Sequence, residues 1–242
     1  MNWIICGMHG AGKTSAAQKF AQSNYNVISV SSVLRNLAAD EYNIKDMTPI
    51  QLLAFGEKYL AELGEQELAN ELLKKVSLSM NNVIEGIRPL QTALTLKKAL
   101  HAKIVFIKSS SQKRYSRIKE REGLTFQEFV FKEENVVEKM SYEIESHADY
   151  IIYNEADLDD FYKQIIKIKD EEEKLKNDWK YAAEKRKEQI ESGLDITYHK
   201  IFLPKWLEIV ESSKAKHALE IGAGTGHLTK EISSKVISLD AI

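Results

Sequence analysis

The chain has 242 residues, of which 43% are hydrophobic and 29% are charged, a composition typical of a soluble globular protein with a sizeable core. Collagen-like, disordered and membrane-embedded classes are excluded. The 34 basic and 36 acidic residues give a formal net charge of -2, which provides no overall field to attract nucleic acid or an anionic membrane. The single cysteine, Cys6, cannot form an intramolecular disulfide, and the N-terminus lacks the features of a signal peptide. We therefore expect a cytoplasmic protein.

Short apolar segments alternate with segments of helical character along the first two thirds of the chain. The apolar runs predict five strands, at 3–6, 27–30, 82–85, 102–107 and 150–153. The long stretch between the second and third of these strands has a largely helical pattern. Strands that alternate with helices predict an α/β fold in which helices cover both faces of a parallel sheet.

Residues 7–14, GMHGAGKT, match the pattern G-x-x-x-x-G-K-[ST] at every fixed position and follow the first predicted strand directly. In such a phosphate loop, glycines let backbone N–H groups surround phosphate oxygens, and the N-terminus of the next helix adds positive potential. We expect Lys13 to reach the β- and γ-phosphates and Thr14 to supply a hydroxyl to Mg²⁺. His9 and Cys6 are interpreted as a loop residue and a core thiol. The pattern predicts a P-loop NTPase fold whose ATP contacts are Gly7, Gly10, Gly12, Lys13, Thr14 and Ser15.

Two arginines follow the ends of the second and third predicted strands, where ligands bind in open α/β sheets. Arg35 comes seven residues after Ile28, and Arg88 belongs to the run Glu85-Gly86-Ile87-Arg88. Two converging guanidinium groups suit bidentate capture of an acceptor phosphate. For Arg35 a plain helix-surface position is equally open, whereas for Arg88 we favour the functional interpretation.

With these motifs, residues 1–168 resemble the nucleoside monophosphate kinase group of P-loop proteins, which includes adenylate kinases and dephospho-CoA-kinase-like proteins. The resemblance implies ATP- and Mg²⁺-dependent transfer of a phosphoryl group to a small phosphorylated acceptor, with a nucleoside monophosphate as first choice. It implies a carboxylate near Mg²⁺ at Glu85, beside Thr14, and a catalytic arginine at Arg88. The implied acceptor-binding residues are Ser31, Ser32, Arg35 and Arg88.

A basic segment follows the fourth predicted strand and carries Arg114, Arg117 and Arg121 at the spacing i, i+3, i+7, which places them on one helix face. The resemblance implies that this segment is a lid, with Arg114 and Arg117 as catalytic residues that neutralise charge on the transferred group. A solvated basic face is the open alternative, because acidic residues are interleaved. Asn154, after the fifth strand, is implied near the adenine, although ordinary turn chemistry is the alternative.

Two other functions stay open. The first alternative is dephospho-CoA kinase activity. Those kinases carry an aspartate just after the second strand as general base, whereas residues 29–32 here are Ser-Val-Ser-Ser, which counts against this activity. The second alternative is a nucleotide-binding regulatory module in which the loop binds ATP or GTP and hydrolyses it slowly.

The segment 167–191 contains eight basic and eight acidic residues and no glycine or proline. Such balanced charge favours a solvated connecting helix over a coiled coil or a nucleic-acid-binding arm. We therefore expect three regions: a P-loop nucleotide-kinase-like domain at 1–168, a charged helical linker at 169–196, and a further region at 197–242.

The last region has a strand, a glycine-rich turn and a helix start at 217–229, followed by a second strand at 236–240 that ends in an acid. It resembles the first motif of class I S-adenosylmethionine-dependent methyltransferases. Because the chain stops at Ile242, we expect a truncated, partial Rossmann-like βαβ unit unable to transfer methyl groups alone; a diverged structural appendage is equally open. Its apolar residues near Trp206 predict exposed hydrophobic surface through which a homo-oligomer could form, and the oligomeric state itself is open. The implied S-adenosylmethionine contacts are Glu220, Gly222, Gly224, Gly226 and Asp240.

Overall fold

A computed structural model describes residues 1–195, 198–214, 216–220 and 226–241, with the side chains of residues 137, 138, 219, 220 and 241 outside the description. The chain divides into two compact units, Met1–Ile168 and Lys169–Ile242. The strands of the first unit are β1 (Trp3–Gly7), β2 (Asn26–Ser29), β3 (Asn82–Glu85), β4 (Lys103–Lys108) and β5 (Tyr150–Tyr153).

Seven helices connect these strands and an eighth follows β5. They are α1 (Lys13–Ala21), α2 (Val30–Tyr42), α3 (Pro49–Leu73), α4 (Leu90–Leu100), α5 (Ser111–Glu122), α6 (Phe126–Glu133), α7 (Val136–Glu145) and α8 (Leu158–Glu191). Sequence signals explain several boundaries: a capping box at Thr48 and a proline at the first position begin α3, and a second capping box at Thr125 begins α6. Helix α3 is kinked at Gly64, whose φ is 82°. The boundary between the two units falls within α8.

The five strands form one parallel sheet in the order β2-β3-β1-β4-β5. The chain leaves β1 toward β2 on one side and leaves β3 toward β4 on the other, so the neighbouring strands β1 and β3 are connected in opposite directions. In open α/β sheets, ligands bind at the carboxyl ends of the strands beside such a switch point. The observed topology therefore places the phosphate loop, after β1, beside the Glu85-Gly86 turn, after β3.

Alternating residues of the central strands fill two separate cores. Ile4 and Cys6 of β1 pack with apolar residues of α2, α3 and α4, whereas Trp3 and Ile5 pack with α1 and the start of α8. All four of these side chains are fully buried. Because both faces of the sheet are covered, the strands read as continuous apolar runs without polar alternation.

The five predicted strands and the parallel α/β sheet agree with the structure, with shifts of one residue. Val30, predicted as the end of the second strand, instead begins α2, because Ser29 is the last residue with an extended backbone and precedes the helix directly. The fourth strand begins at Lys103, since His101 before it adopts a left-handed conformation with φ 47°. The long helix predicted at 167–191 is the second part of α8.

The second unit contains, after α8, a π-helical turn (Tyr198–Phe202), α9 (Leu203–Ser213), β6 (His217–Glu220), α10 (His227–Ser233) and β7 (Ser238–Ala241). Strands β6 and β7 pair in parallel, with α10 between them in sequence. The second strand of this region, which the sequence predicts at 236–240, is β7 and begins two residues later than predicted. None of the helices in the described parts of the chain is both long enough and apolar enough to cross a membrane.

Candidate functional site

The phosphate loop joins the central strand β1 to α1. Three of its glycines have positive φ angles, 140° at Gly7, 77° at Gly10 and 108° at Gly12, which side chains with a Cβ adopt only with strain. Gly12 immediately precedes α1, so the loop leads into the positively polarised end of a helix. The backbone therefore turns tightly where an anion would meet both N–H groups and a helix N-terminus.

Lys13 is the first residue of α1 and is only 9% exposed. Its Nζ donates hydrogen bonds to the carbonyl oxygens of Gly7, at 2.8 Å, and Met8, at 2.9 Å. The ammonium group therefore lies across its own loop and donates to two of the loop's carbonyl oxygens. An anionic phosphate would be a stronger acceptor for it than either carbonyl.

A cavity of about 320 Å³ opens beside the phosphate loop at the carboxyl ends of the central strands. Its polar side chains come from the loop, the first turn of α1, the segments after β2 and β3, and helices α5 and α6. The polar lining residues are His9, Lys13, Thr14, Ser15, Ser31, Arg35, Glu85, Arg88, Arg121, Glu122 and Lys132. The apolar lining residues come from α2, from α3 and from the residue directly before α4. They are Val30, Leu34, Pro49, Leu52, Leu53, Leu60, Leu68 and Pro89.

Both predicted acceptor arginines line this cavity. Arg35 Nη1 donates to the carbonyl oxygen of Met47 at 2.5 Å, which fixes its side chain beneath the loop that precedes α3. Arg88 Nη1 lies 3.4 Å from the carbonyl oxygen of Gly86. Ser31 lines the cavity too, whereas Ser32 is exposed and lies outside its lining.

Glu85 ends β3 and is 7% exposed, with its side chain in the cavity wall. No hydrogen bond or ion pair of its carboxylate is found among the residues that the structure describes. A buried carboxylate is stabilised by a cation beside it. Thr14 lines the same cavity, so these two side chains fit a Mg²⁺ ion that a nucleotide would bring with its phosphates. Among the described residues, no group of three or more potential metal ligands would hold a metal without such help.

The resemblance implied a lid role for Arg114 and Arg117, and that role stays a prediction. Arg114 and Arg117 lie outside the cavity lining, because the face of α5 that carries them packs against the back of the phosphate loop. Arg114 pairs with Glu133 and donates from Nη1 to the His9 carbonyl oxygen at 3.3 Å. Only Arg121, at the end of the helix, lines the cavity.

Asn154 also contacts the backbone of the phosphate loop. Its Nδ2 donates to the carbonyl oxygen of Ala11 at 2.8 Å, and its Oδ1 accepts from Arg117 Nη2 at 3.0 Å. Its buried side chain therefore holds the loop backbone and lies outside the cavity lining. The contact with adenine that the resemblance implied for Asn154 stays a prediction.

Burial raises the pKa of the Cys6 thiol to about 12, although Lys13 and Arg88 lie close enough to oppose that shift. Cys6 is therefore a neutral core thiol at physiological pH and not a nucleophile.

Sequence reasoning missed a charged cluster on the α5 and α6 side of the cavity. The Glu122 carboxylate meets His9 Nε2 at 3.3 Å, Lys132 Nζ at 3.2 Å and Arg121 Nε at 3.2 Å. The hydrogen bond from His9 holds the pKa of Glu122 well below its usual range, with further help from Arg121 and Lys132 and against the opposing effect of burial. His9 and Glu122 are 113 residues apart, so no local pattern predicts their contact.

The lowered pKa of Glu122 predicts a pH-dependent contribution to stability. A carboxyl group whose pKa is lower in the folded state stabilises the protein above the unfolded-state pKa of about 4.3 and loses that effect as the pH falls below it. We expect Glu122→Gln to lower the urea midpoint at pH 7 and to differ less from wild type at pH 3.5. The exposed Glu120→Gln is the matched control; a constant Glu122→Gln deficit across this range would contradict the prediction.

The predicted S-adenosylmethionine contacts are only partly described. Gly222 and Gly224 lie outside the described residues, and the side chain of Glu220 is not described. Gly226 precedes α10 with φ 73°, and Asp240 lies in β7. The described residues of this region thus form a parallel strand pair with a helix between, without a described glycine-rich turn.

Comparison with known proteins identifies the family. A family model described as AAA domain matches residues 4–138, more than half of the chain. A UPF0200 protein of Pyrococcus furiosus is 30% identical over 176 residues, which cover 68% of this chain and 94% of that protein. A UPF0200 protein of Pyrobaculum aerophilum is 26% identical over 170 residues, with the same two coverages. These matches give no support to the methyltransferase resemblance of residues 197–242.

Among solved structures, TT1252 from Thermus thermophilus has a TM-score of 0.49 at 16% identity and covers 71% of this chain and 97% of its own. Shikimate kinase from Bacteroides thetaiotaomicron has a TM-score of 0.47 at 16% identity, with 72% and 98% covered. The assignment of this chain to a family rests on the family model and on the UPF0200 relatives. The chain therefore belongs to the family that this AAA-domain model describes and also to the UPF0200 proteins.

Proposed function

We propose that the chain is an ATP- and Mg²⁺-dependent kinase that transfers a phosphoryl group to a small phosphorylated acceptor, with a nucleoside monophosphate as first choice. One observation carries this proposal: the phosphate loop, a buried carboxylate and two arginines line a single cavity at the switch point of the sheet. Two guanidinium groups after the ends of β2 and β3 favour an acceptor that itself carries a phosphate, because they can bind its oxygens in bidentate fashion.

The donor half of the site is built by the loop and α1. Backbone N–H groups of the loop and the N-terminus of α1 would hold the phosphates of ATP, with Lys13 turning from its two carbonyl partners toward them. Thr14 and Glu85 would hold Mg²⁺, which when bound neutralises charge on the phosphate oxygens. Ser15 lines the cavity beside Thr14 and would add a hydroxyl to the phosphate contacts.

The acceptor half combines two cations with an apolar wall. Arg35 and Arg88 would bind the acceptor phosphate and direct one of its oxygens at the γ-phosphorus of ATP. Four leucines of α3 supply an apolar surface that suits a nucleobase better than a polyhydroxylated acceptor: Leu52, Leu53, Leu60 and Leu68. A phosphate oxygen is already ionised, so the transfer needs positioning and charge stabilisation more than a general base.

One observation favours a second candidate, a nucleotide-binding regulatory module with slow hydrolysis. Arg114 and Arg117 are engaged with Glu133 and Asn154 outside the cavity, so the charge they could lend to a transferred phosphoryl group is directed elsewhere. A module of this kind would bind ATP without acceptor-dependent turnover.

The test is incubation of the full chain with Mg-ATP and a panel of ribonucleoside and deoxyribonucleoside monophosphates, with dephospho-CoA included. We expect one monophosphate to be converted to its diphosphate. Arg88→Ala should raise the KM for that acceptor by about 100-fold and change the KM for ATP far less, because a charged bidentate contact is lost only on the acceptor side. The exposed Lys98→Ala on α4 is the control. ATP binding with no turnover of any acceptor would leave the regulatory module as the better description.

A further inference from the structure

The cluster around Glu122 brings an anion into the wall of a cavity that we propose for phosphates. Glu122 lines the cavity together with His9, Gly10 and Lys13 of the phosphate loop. Its two carboxylate oxygens are partnered from three directions, by His9, Arg121 and Lys132. These donors are cationic or can become so, and they belong to the phosphate loop, α5 and α6.

The end of a helix at which Glu122 lies is unfavourable for a carboxylate. Glu122 is the last residue of α5, where the backbone carbonyls give the helix end a negative potential. Acidic side chains are disfavoured at that end, and the basic Arg121 beside it is the residue type expected there. The interaction that holds Glu122 in place must therefore come from the cations that it faces.

Lys132 shows what Glu122 provides. Its side chain is buried, and its Nζ lies 3.2 Å from Glu122 Oε2. An adjacent anion strongly stabilises a buried ammonium group, and a phosphate oxygen could serve as well as a carboxylate oxygen. Phosphate groups accept the same donors at the same distances, so the carboxylate and a phosphate ligand are alternative partners for one set of cations.

Resting on the proposed phosphate-binding function, we infer that Glu122 is a built-in counter-anion that competes with ligand phosphate for His9, Arg121 and Lys132. It keeps these basic groups assembled beside the loop and limits how tightly the cavity holds a polyphosphate. Gly123, with φ 68°, follows Glu122 directly and has open space around it. The end of α5 therefore has room to move when a phosphate replaces the Glu122 carboxylate as the partner of these cations. Glu122 is thus a positioning residue that tunes phosphate affinity and, through it, product release.

The test compares Glu122→Gln with Glu120→Gln in binding of ATP and of inorganic tripolyphosphate by calorimetry at low salt. Both variants remove one negative charge from α5, but Glu120 is exposed and lies outside the cavity lining. We expect Glu122→Gln to bind both ligands about tenfold more tightly than wild type, because one like charge near the phosphates is removed. Glu120→Gln should stay within about twofold, since Glu120 is exposed and the high dielectric constant of water weakens the effect of its charge on the phosphates.

Two further measurements separate this effect from a general change in the cavity. Adenosine has no phosphate, so its affinity should be the same in wild type and Glu122→Gln. The double variant Glu122→Gln/Lys132→Met removes both charges, should fold without an unpaired buried ammonium group, and should lose the gain in tripolyphosphate affinity.

The possible failures are distinct. Wild-type protein that binds neither ATP nor tripolyphosphate would overturn the proposed function itself. Wild-type binding that is unchanged or weakened in Glu122→Gln would overturn the role of Glu122 alone and leave the proposed function intact. A gain that extends equally to adenosine would also overturn it, because competition for phosphate cannot act on a ligand without phosphate.

Discussion

Replacing Lys13 by alanine is expected to lower acceptor-dependent turnover on the order of 10³-fold, the largest effect of any single side chain in the cavity. Lys13 places a nearly buried ammonium group at the start of α1, where its Nζ donates to the carbonyl oxygens of Gly7 and Met8. In a site shielded from water, a charge directed at the transferred phosphoryl group acts far more strongly than the same charge at the surface. Loss of this group should therefore raise the barrier to transfer as well as weaken ATP binding.

Two variants make this prediction specific. Lys13→Met keeps most of the apolar stem and removes only the charge, so it should lose as much turnover as Lys13→Ala. Lys98→Ala removes an exposed lysine from α4 and should leave turnover within about twofold of wild type. Initial rates with the preferred acceptor and calorimetric titration with ATP are the measurements. A Lys13→Met enzyme within tenfold of wild type would show that the phosphate loop is not the donor site.

The fold could be predicted from the sequence because its signals are local. Each strand of the sheet is a short apolar run, and the phosphate loop has a spacing that specifies both its glycines and the helix after it. Residues on both faces of β1 are buried, which produces the run at Trp3–Gly7 without polar alternation. The boundaries that moved, such as Val30 at the start of α2, depend on where the backbone leaves the extended conformation and not on composition.

The site could be predicted only where its residues follow strand ends. The positions of Arg35 and Arg88 could be predicted in this way, because parallel strands deliver their carboxyl ends to one edge. The periodicity of α5 placed its arginines on one face but could not say that this face packs on the loop through Arg114. The contact between His9 and Glu122 joins residues far apart in sequence and has no local signal.

Replacing Gly7 by alanine is expected to destabilise the first unit by about 3 kcal/mol or more, the largest effect on stability that the phosphate loop offers. Gly7 pairs with Ile107 across the parallel strands β1 and β4. A Cβ on Gly7 would lie 2.5 Å from the carbonyl oxygen of Ile107, and the φ angle of 140° would strain any side chain there. The obstructing atom belongs to the backbone, so no side-chain rotation relieves the overlap, and β4 would have to move away from the centre of the sheet.

Gly123→Ala separates backbone strain from overlap. Gly123 also has a positive φ, 68°, but a Cβ there would meet no atom within 4 Å. It should therefore cost only about 1 kcal/mol, the ordinary penalty for a left-handed alanine. Urea unfolding should be followed by the fluorescence of Trp3, a fully buried residue of β1, with Trp179 and Trp206 replaced by phenylalanine so that only the first unit reports. Equal losses in the two variants would show that β1 and β4 accommodate the added methyl group, and the close packing of Gly7 would then contribute nothing beyond its backbone angle.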